Sequence, residues 1–252
     1  VDYKFLFFNS FVKVFLIAPY LMMSMYLSME VEGLLISKFG YSSINLSKTE
    51  TLIYYTIAFF VLNDLLSYIV HYLFHKIPLL WEFHKIHHSA TVMSPITQYR
   101  LHPVELLVNN CKYIILFGLL SGCFEYFSAG VVSKYTFLEV NVLSFLFLFF
   151  GSNLRHSHVR LTYLNFIEFI FISPFQHQIH HSDNSKHFNK NMGSKLALWD
   201  WLFGTLKRSR SVGKIRFGLG GVENYYYDSF LKNLLQPFKN IYRTIFLSSR
   251  KK

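Results

Sequence analysis

Four short histidine runs constrain this chain more than any other feature. They read HYLFH (His71, His75), HKIHH (His84, His87, His88), HSH (His156, His158) and HQIHH (His177, His180, His181), and all twelve histidines lie between His71 and His187. Residues three or four apart project from one side of a helix, so the HxxxH run, on a helix entering from the membrane, and both HxxHH runs read as helical faces that could aim eight imidazoles at one point. Neutral imidazole is the commonest metal-ligating side chain near physiological pH. Eight ligands exceed what one tetrahedral or octahedral ion takes, so the pattern predicts two ions, held as facing helices hold paired metals in bundle proteins. The donor set is nitrogen-rich and lacks cysteine, which leaves Fe, Zn, Cu or Ni open. A mononuclear iron site would call for two His and one carboxylate, which is not the dominant pattern.

The surroundings of these runs are apolar. Half the chain is hydrophobic, with 28 Phe and 17 Tyr, which points to the membrane class. Residues 5–29 form a first span, interrupted by Lys13 and Pro19, and a polar connection occupies 30–50. A second span runs over 52–74 and carries Asn63, Asp64 and His71, groups that must face protein or metal because lipid does not solvate them. A polar loop follows over 76–103. Stretches 104–123 and 130–150, broken by Lys112, Glu125 and Glu139, read as a hairpin. Cys111 and Cys123 read as two buried free thiols. The fold class expected is an all-α integral membrane protein of about four transmembrane helices, two plus a hairpin, under a cytoplasmic helical cap that carries the dimetal site. It divides as a membrane region (1–63), a histidine-bearing core (64–206) and a basic tail (207–252).

Charge orients this arrangement. From Asp200 onward eleven Lys/Arg face only three acids. On a membrane protein such a tail marks a cytoplasmic face next to anionic lipid rather than a nucleic-acid site. If all spans cross, the N-terminus, the histidine-rich loop and the C-terminal third share one side, where nearly all Lys/Arg lie. Phe230, Leu231, Leu234, Leu235, Phe238, Ile241 and Tyr242 recur at helical spacing, predicting an amphipathic helix that lies on the membrane or packs on the protein. His187 reads as an ordinary core histidine.

The segments DLLSYIVHYLFH, WEFHKIHHSA, LRHSHVRL and SPFQHQIHHS resemble the histidine boxes of the fatty acid hydroxylase/sterol desaturase superfamily of membrane-bound non-haem di-iron oxygenases. The likeness extends through NMGSKLALWDWLFGTL, where Met192 replaces a common aromatic. It implies His71, His75, His84, His87, His88, His177, His180 and His181 as ligands, with His156 and His158 at further family positions. His102, in LHPVE, is implied as a ligand or a supporting residue, and Asp64 and Asp183 as carboxylates that orient ligand imidazoles. The cofactors implied are two Fe ions, which Zn can replace during purification, with O₂ as co-substrate. The partners implied are a membrane lipid and a separate electron donor (ferredoxin, flavoprotein or cytochrome). The expected activity is C–H hydroxylation of a membrane lipid, fatty acyl chain or sterol, with desaturation as the alternative outcome of the same site. The location expected is a bacterial inner membrane, favoured over the endoplasmic reticulum. From other classes, a membrane zinc hydrolase would need an acid/base carboxylate in a motif such as HExxH, which is absent. A metal transporter would spread polar residues through its spans.

Overall fold

The structure, a computed structural model, describes residues 1–128 and 154–247. Among these residues every regular element is helical, apart from isolated bridges between Phe171 and Leu196 and between Ser182 and Phe217. Among the described residues three helices are long and apolar enough to cross a membrane: α1 (Asp2–Phe39), α2 (Lys48–Lys76) and α4 (Pro103–Ser128). Between them lies α3 (Pro78–His88), and beyond come α5 (Pro174–His180), α6 (Leu198–Leu202) and α7 (Phe230–Tyr242). The first leg of the expected hairpin is α4; its second leg falls outside the described residues.

Local sequence explains the helix boundaries. The first helix runs past the expected span, through much of the polar connection, and stops at Gly40. That glycine has φ +74 and donates its N–H to the Ile36 carbonyl at 2.8 Å, a left-handed C-terminal cap that glycine adopts without strain. Ser47 and Glu50 then form a capping box for α2. The Ser47 N–H and hydroxyl both reach Glu50 Oε2, at 2.9 and 2.6 Å, and the Glu50 N–H returns to Ser47 Oγ at 3.3 Å. The turn from α2 into α3 is set by Pro78, which disfavours helical geometry at the residue before it; Ile77 is extended at φ −92, ψ 114. The expected loop over 76–103 is therefore helical in its first part.

Two compact units emerge. One comprises residues 13–66 and 107–149, and its described core centres on Tyr55, Phe59 and Leu116. Within it α1 and α4 approach closely at Gly118 and Gly122: a Cβ there would stand 2.7 Å from the Leu27 side chain and 2.5 Å from the Ser28 carbonyl. Small residues at this spacing let membrane helices pack backbone to backbone. Asn63, Asp64 and Lys112 are all buried, as the cost of polar groups in lipid requires. The cysteines depart from expectation. Both are free, but Cys111 is exposed and Cys123 only partly covered, because α4 turns that face outward.

The other unit comprises residues 1–12, 67–106 and 150–252. It gathers the N-terminus, the histidine-rich loop and the C-terminal third, the three segments that the charge argument placed together. In it α7 packs one face inward. Phe230 meets Phe5 and Phe8 at 4.9 and 5.4 Å between ring centroids, and Leu234 packs against a core of Phe5, Ile86 and Tyr227. Leu231, Leu235 and Tyr242 stay exposed.

Candidate metal centre

Nine of the twelve histidines converge within this unit, in two adjoining groups. His71, His75, His84, His88 and His180 form one, and His87, His156, His177 and His181 the other; within each, the possible ligand atoms lie within 4.8 Å of one another. The groups touch across the His88–His181 pair, whose rings stack with centroids 4.4 Å apart.

This division corrects the expectation that each HxxHH run aims all three imidazoles at one point. In α3, His84 and His88 serve the five-histidine group while His87 serves the other. At α5 and its C-cap the same pattern recurs with the groups exchanged: His177 and His181 stay together and His180 crosses over. The reason is geometric. Residues i and i+4 are offset by about 40° around a helix, but successive residues by about 100°. Adjacent histidines therefore point apart, and here they fall in different groups.

Both helices are placed by prolines and caps. Pro78 and Pro174 occupy first turns, where no N–H is needed. Ser173 and Gln176 close a capping box on α5, with the Ser173 N–H to Gln176 Oε1 at 2.8 Å and the Gln176 N–H to Ser173 Oγ at 3.2 Å.

Hydrogen bonds at Nδ1 hold several rings so that Nε2 points inward. The Nδ1–H of His71 donates to the Met192 carbonyl at 2.8 Å, that of His180 to the Lys190 carbonyl at 2.8 Å, and that of His84 to the Glu105 carboxylate at 3.0 Å. Such partners fix tautomer and orientation in metal-ligating histidines. Asp200 supports this shell by accepting the Met192 and Gly193 N–H groups, at 2.8 and 2.7 Å, and the Thr205 hydroxyl at 2.5 Å. Asn191, at φ 54, donates to the Gln176 and Lys207 carbonyls at 2.9 and 3.0 Å. The NMG…WDWLFGT stretch is thus the brace of the histidine groups.

The donors fit a metal. Nε2 atoms of His71 and His84 stand 3.1 Å apart, those of His84 and His88 3.2 Å, those of His156 and His177 3.1 Å, and those of His177 and His181 3.2 Å. Two nitrogens bound about 2.1 Å from one ion stand about 3.0 Å apart at an octahedral angle and about 3.4 Å apart at a tetrahedral one. The Nε2 atoms of His75 and His180 are buried without a hydrogen-bond partner, a costly state unless an ion takes the lone pair. Burial holds His84 and His87 near pKa 3 and pushes His88, His177, His180 and His181 well below the usual range, with neighbouring imidazoles adding to the effect in all of them but His84. All are neutral, hence ligand-competent, at pH 7.

The remaining sequence candidates lie elsewhere. His158 is exposed and outside both groups. His102 is buried with both ring nitrogens engaged, Nδ1 accepting the Val104 N–H at 3.1 Å and Nε2 lying 3.2 Å from the Leu234 carbonyl. Asp183 pairs with Arg216 at 3.3 Å, and Asp64 is buried in the other unit. His187 stands apart from both groups. The carboxylate that does touch one of these imidazoles is Glu105, on His84; the sequence does not single it out, although it sits in the same LHPVE segment as His102.

Residues 56–205, over half the chain, match the fatty acid hydroxylase family model. Among curated proteins, an ornithine lipid hydroxylase of Rhizobium tropici is 29% identical over 171 residues, 68% of this chain and 46% of that protein. Alkylglycerol monooxygenases of Caenorhabditis elegans and Homo sapiens are each 24% identical, over 68% and 60% of this chain and 30% of theirs. The chain thus spans less than half the length of these relatives. No solved structure matches. The family match covers every histidine run and the brace behind them, and the chain belongs to the fatty acid hydroxylase family.

Proposed function

We propose that the chain is an O₂-dependent hydroxylase of a membrane lipid that works with two iron ions. The observation that carries this reading is the pair of adjoining all-histidine groups in a member of the fatty acid hydroxylase family. His71, His75, His84, His88 and His180 would hold one ion, and His87, His156, His177 and His181 the other. Iron at such a centre supplies O₂ activation for C–H oxidation, with electrons from a separate donor. The protein's part is to keep the imidazoles neutral, fix them through Glu105 and the Met192 and Lys190 carbonyls, and exclude water. A cavity of about 260 Å³ reaches His75, His88 and His180 and is walled by Trp81, Phe188 and Leu219, with Ser182, Asn189 and Glu223 also lining it. This mixture suits a lipid segment carrying a polar group. The relatives' named reactions, on an ornithine lipid and on alkylglycerols, support the lipid class. The bias of Lys/Arg supports a metal site on the cytoplasmic side.

Purified anaerobically and supplied with Fe(II), the protein should bind two irons per chain. With O₂ and a reductant it should add one oxygen to a cellular lipid, read by mass. Loss of two hydrogens instead would assign the same site to desaturation. Stoichiometric zinc with O₂-independent ester or amide cleavage would overturn the reading in favour of a hydrolase.

A further inference from the structure

The histidine-bearing unit carries an apolar surface that the proposed chemistry does not use. Two turns form it, residues 164–170 and 201–203. Phe166 is 67% exposed, Trp201 55%, Leu202 57% and Phe203 59%, with Leu164 and Ile170 also exposed. The turns are continuous with each other: the Ala197 N–H donates to the Ile170 carbonyl at 2.8 Å, and the Phe169 and Trp201 rings meet at 6.5 Å. So contiguous an aromatic patch marks an interaction surface.

Two independent features identify what covers it. The first is position. Phe203 stacks on Tyr68 of α2 with centroids 5.3 Å apart, and the Tyr68 hydroxyl lies 3.0 Å from that of Thr205. Tyr68 falls about twenty residues along α2 from Lys48, the length that crosses a hydrocarbon core, so an α2 that crosses from its Lys48 end would bring the 201–203 turn to the membrane boundary. The second is charge. Arg208 lies 4.2 Å over the Phe169 ring, and Lys190 Nζ donates to the Gly204 carbonyl at 3.1 Å. The acids in 159–215 are Glu168 and Asp200, both buried, and Asp183, which pairs with Arg216. Aromatic residues rimmed by cations suit the headgroup level of an anionic leaflet.

We propose that the 164–170 and 201–203 turns insert side by side into the lipid leaflet next to α2, so that the histidine-bearing unit rides on the membrane by its own apolar surface. This does not depend on the reaction catalysed.

Trp201 reports on it directly. The full chain is reconstituted in nanodiscs of phosphatidylglycerol and phosphatidylcholine, with or without brominated acyl chains. The Trp201 signal is the difference between wild type and Trp201→Phe, which removes the contributions of Trp81 and Trp199. Brominated lipid should remove about half or more of that signal, and aqueous iodide should leave it nearly unchanged. In the Trp201→Phe background, Phe166→Trp should show an added signal with the same behaviour. Quenching by iodide but not by bromine overturns the proposal. So does protection from both, the outcome expected if a second copy of the chain covered the patch.

Discussion

At the scale of single residues, the neutrality of the imidazoles ties folding to pH. An unfolded histidine takes a proton near pH 6.5, whereas His84 and His87 in the fold do so only near 3. Their folded pKa values lie below the unfolded one, so their stabilising contribution is complete above about pH 6.5 and drains away as pH falls towards 3. Each such group removes up to about 1.4 kcal/mol per pH unit in that window. Metal-free protein should therefore lose thermal stability steadily on acidification through this range, as scanning calorimetry would read. Glu105 supplies a second test. It holds His84 by a charge-assisted bond, so Glu105→Gln should weaken metal retention roughly 10- to 100-fold in chelator competition, with helix content unchanged by circular dichroism. This role was hidden in the sequence because a carboxylate at the start of an apolar helix carries no spacing signal towards a histidine 21 positions earlier.

At the scale of elements, the brace behind the centre has little tolerance. A Cβ on Gly193 would stand 2.4 Å from the Leu196 carbonyl and 2.8 Å from Asp200 Oδ2. Gly193→Ala should therefore push Asp200 off the Met192 and Gly193 amides and cost about 1–3 kcal/mol. A lowered unfolding midpoint together with reduced metal content would show it; an unchanged midpoint would mean that the turn yields freely. Elements of this kind were partly legible beforehand. The HxxHH spacing predicted helices correctly because helical period and histidine period coincide. The division of each run between two groups was not legible, since sequence spacing gives angles on one helix and says nothing of where the facing helix puts its own imidazoles. The stop of α1 is not legible in the sequence because Glu30, Glu32 and Ser37 read as loop, yet helices tolerate polar residues readily until a left-handed glycine ends them.

At the scale of the whole molecule, one compact unit contains the N-terminus, the histidine loop and the C-terminal third, the segments that the charge argument assigns to one side of a membrane. What stayed invisible was the exposed aromatic surface, because Trp201, Leu202 and Phe203 fall within a short apolar sequence indistinguishable from core. The reciprocal crossing of His87 and His180 has a consequence at this scale. Each short helix is a shareholder in both sites, so an ion entering one draws into place a helix that the other also needs. Occupancy should behave as a cooperative switch. Native mass spectrometry at half-equivalent Co(II) or Fe(II) should then find chains carrying two ions or none, with the singly loaded form scarce. Growth limited by metal would divide a population of these chains into doubly loaded and empty ones, rather than leave every copy half loaded.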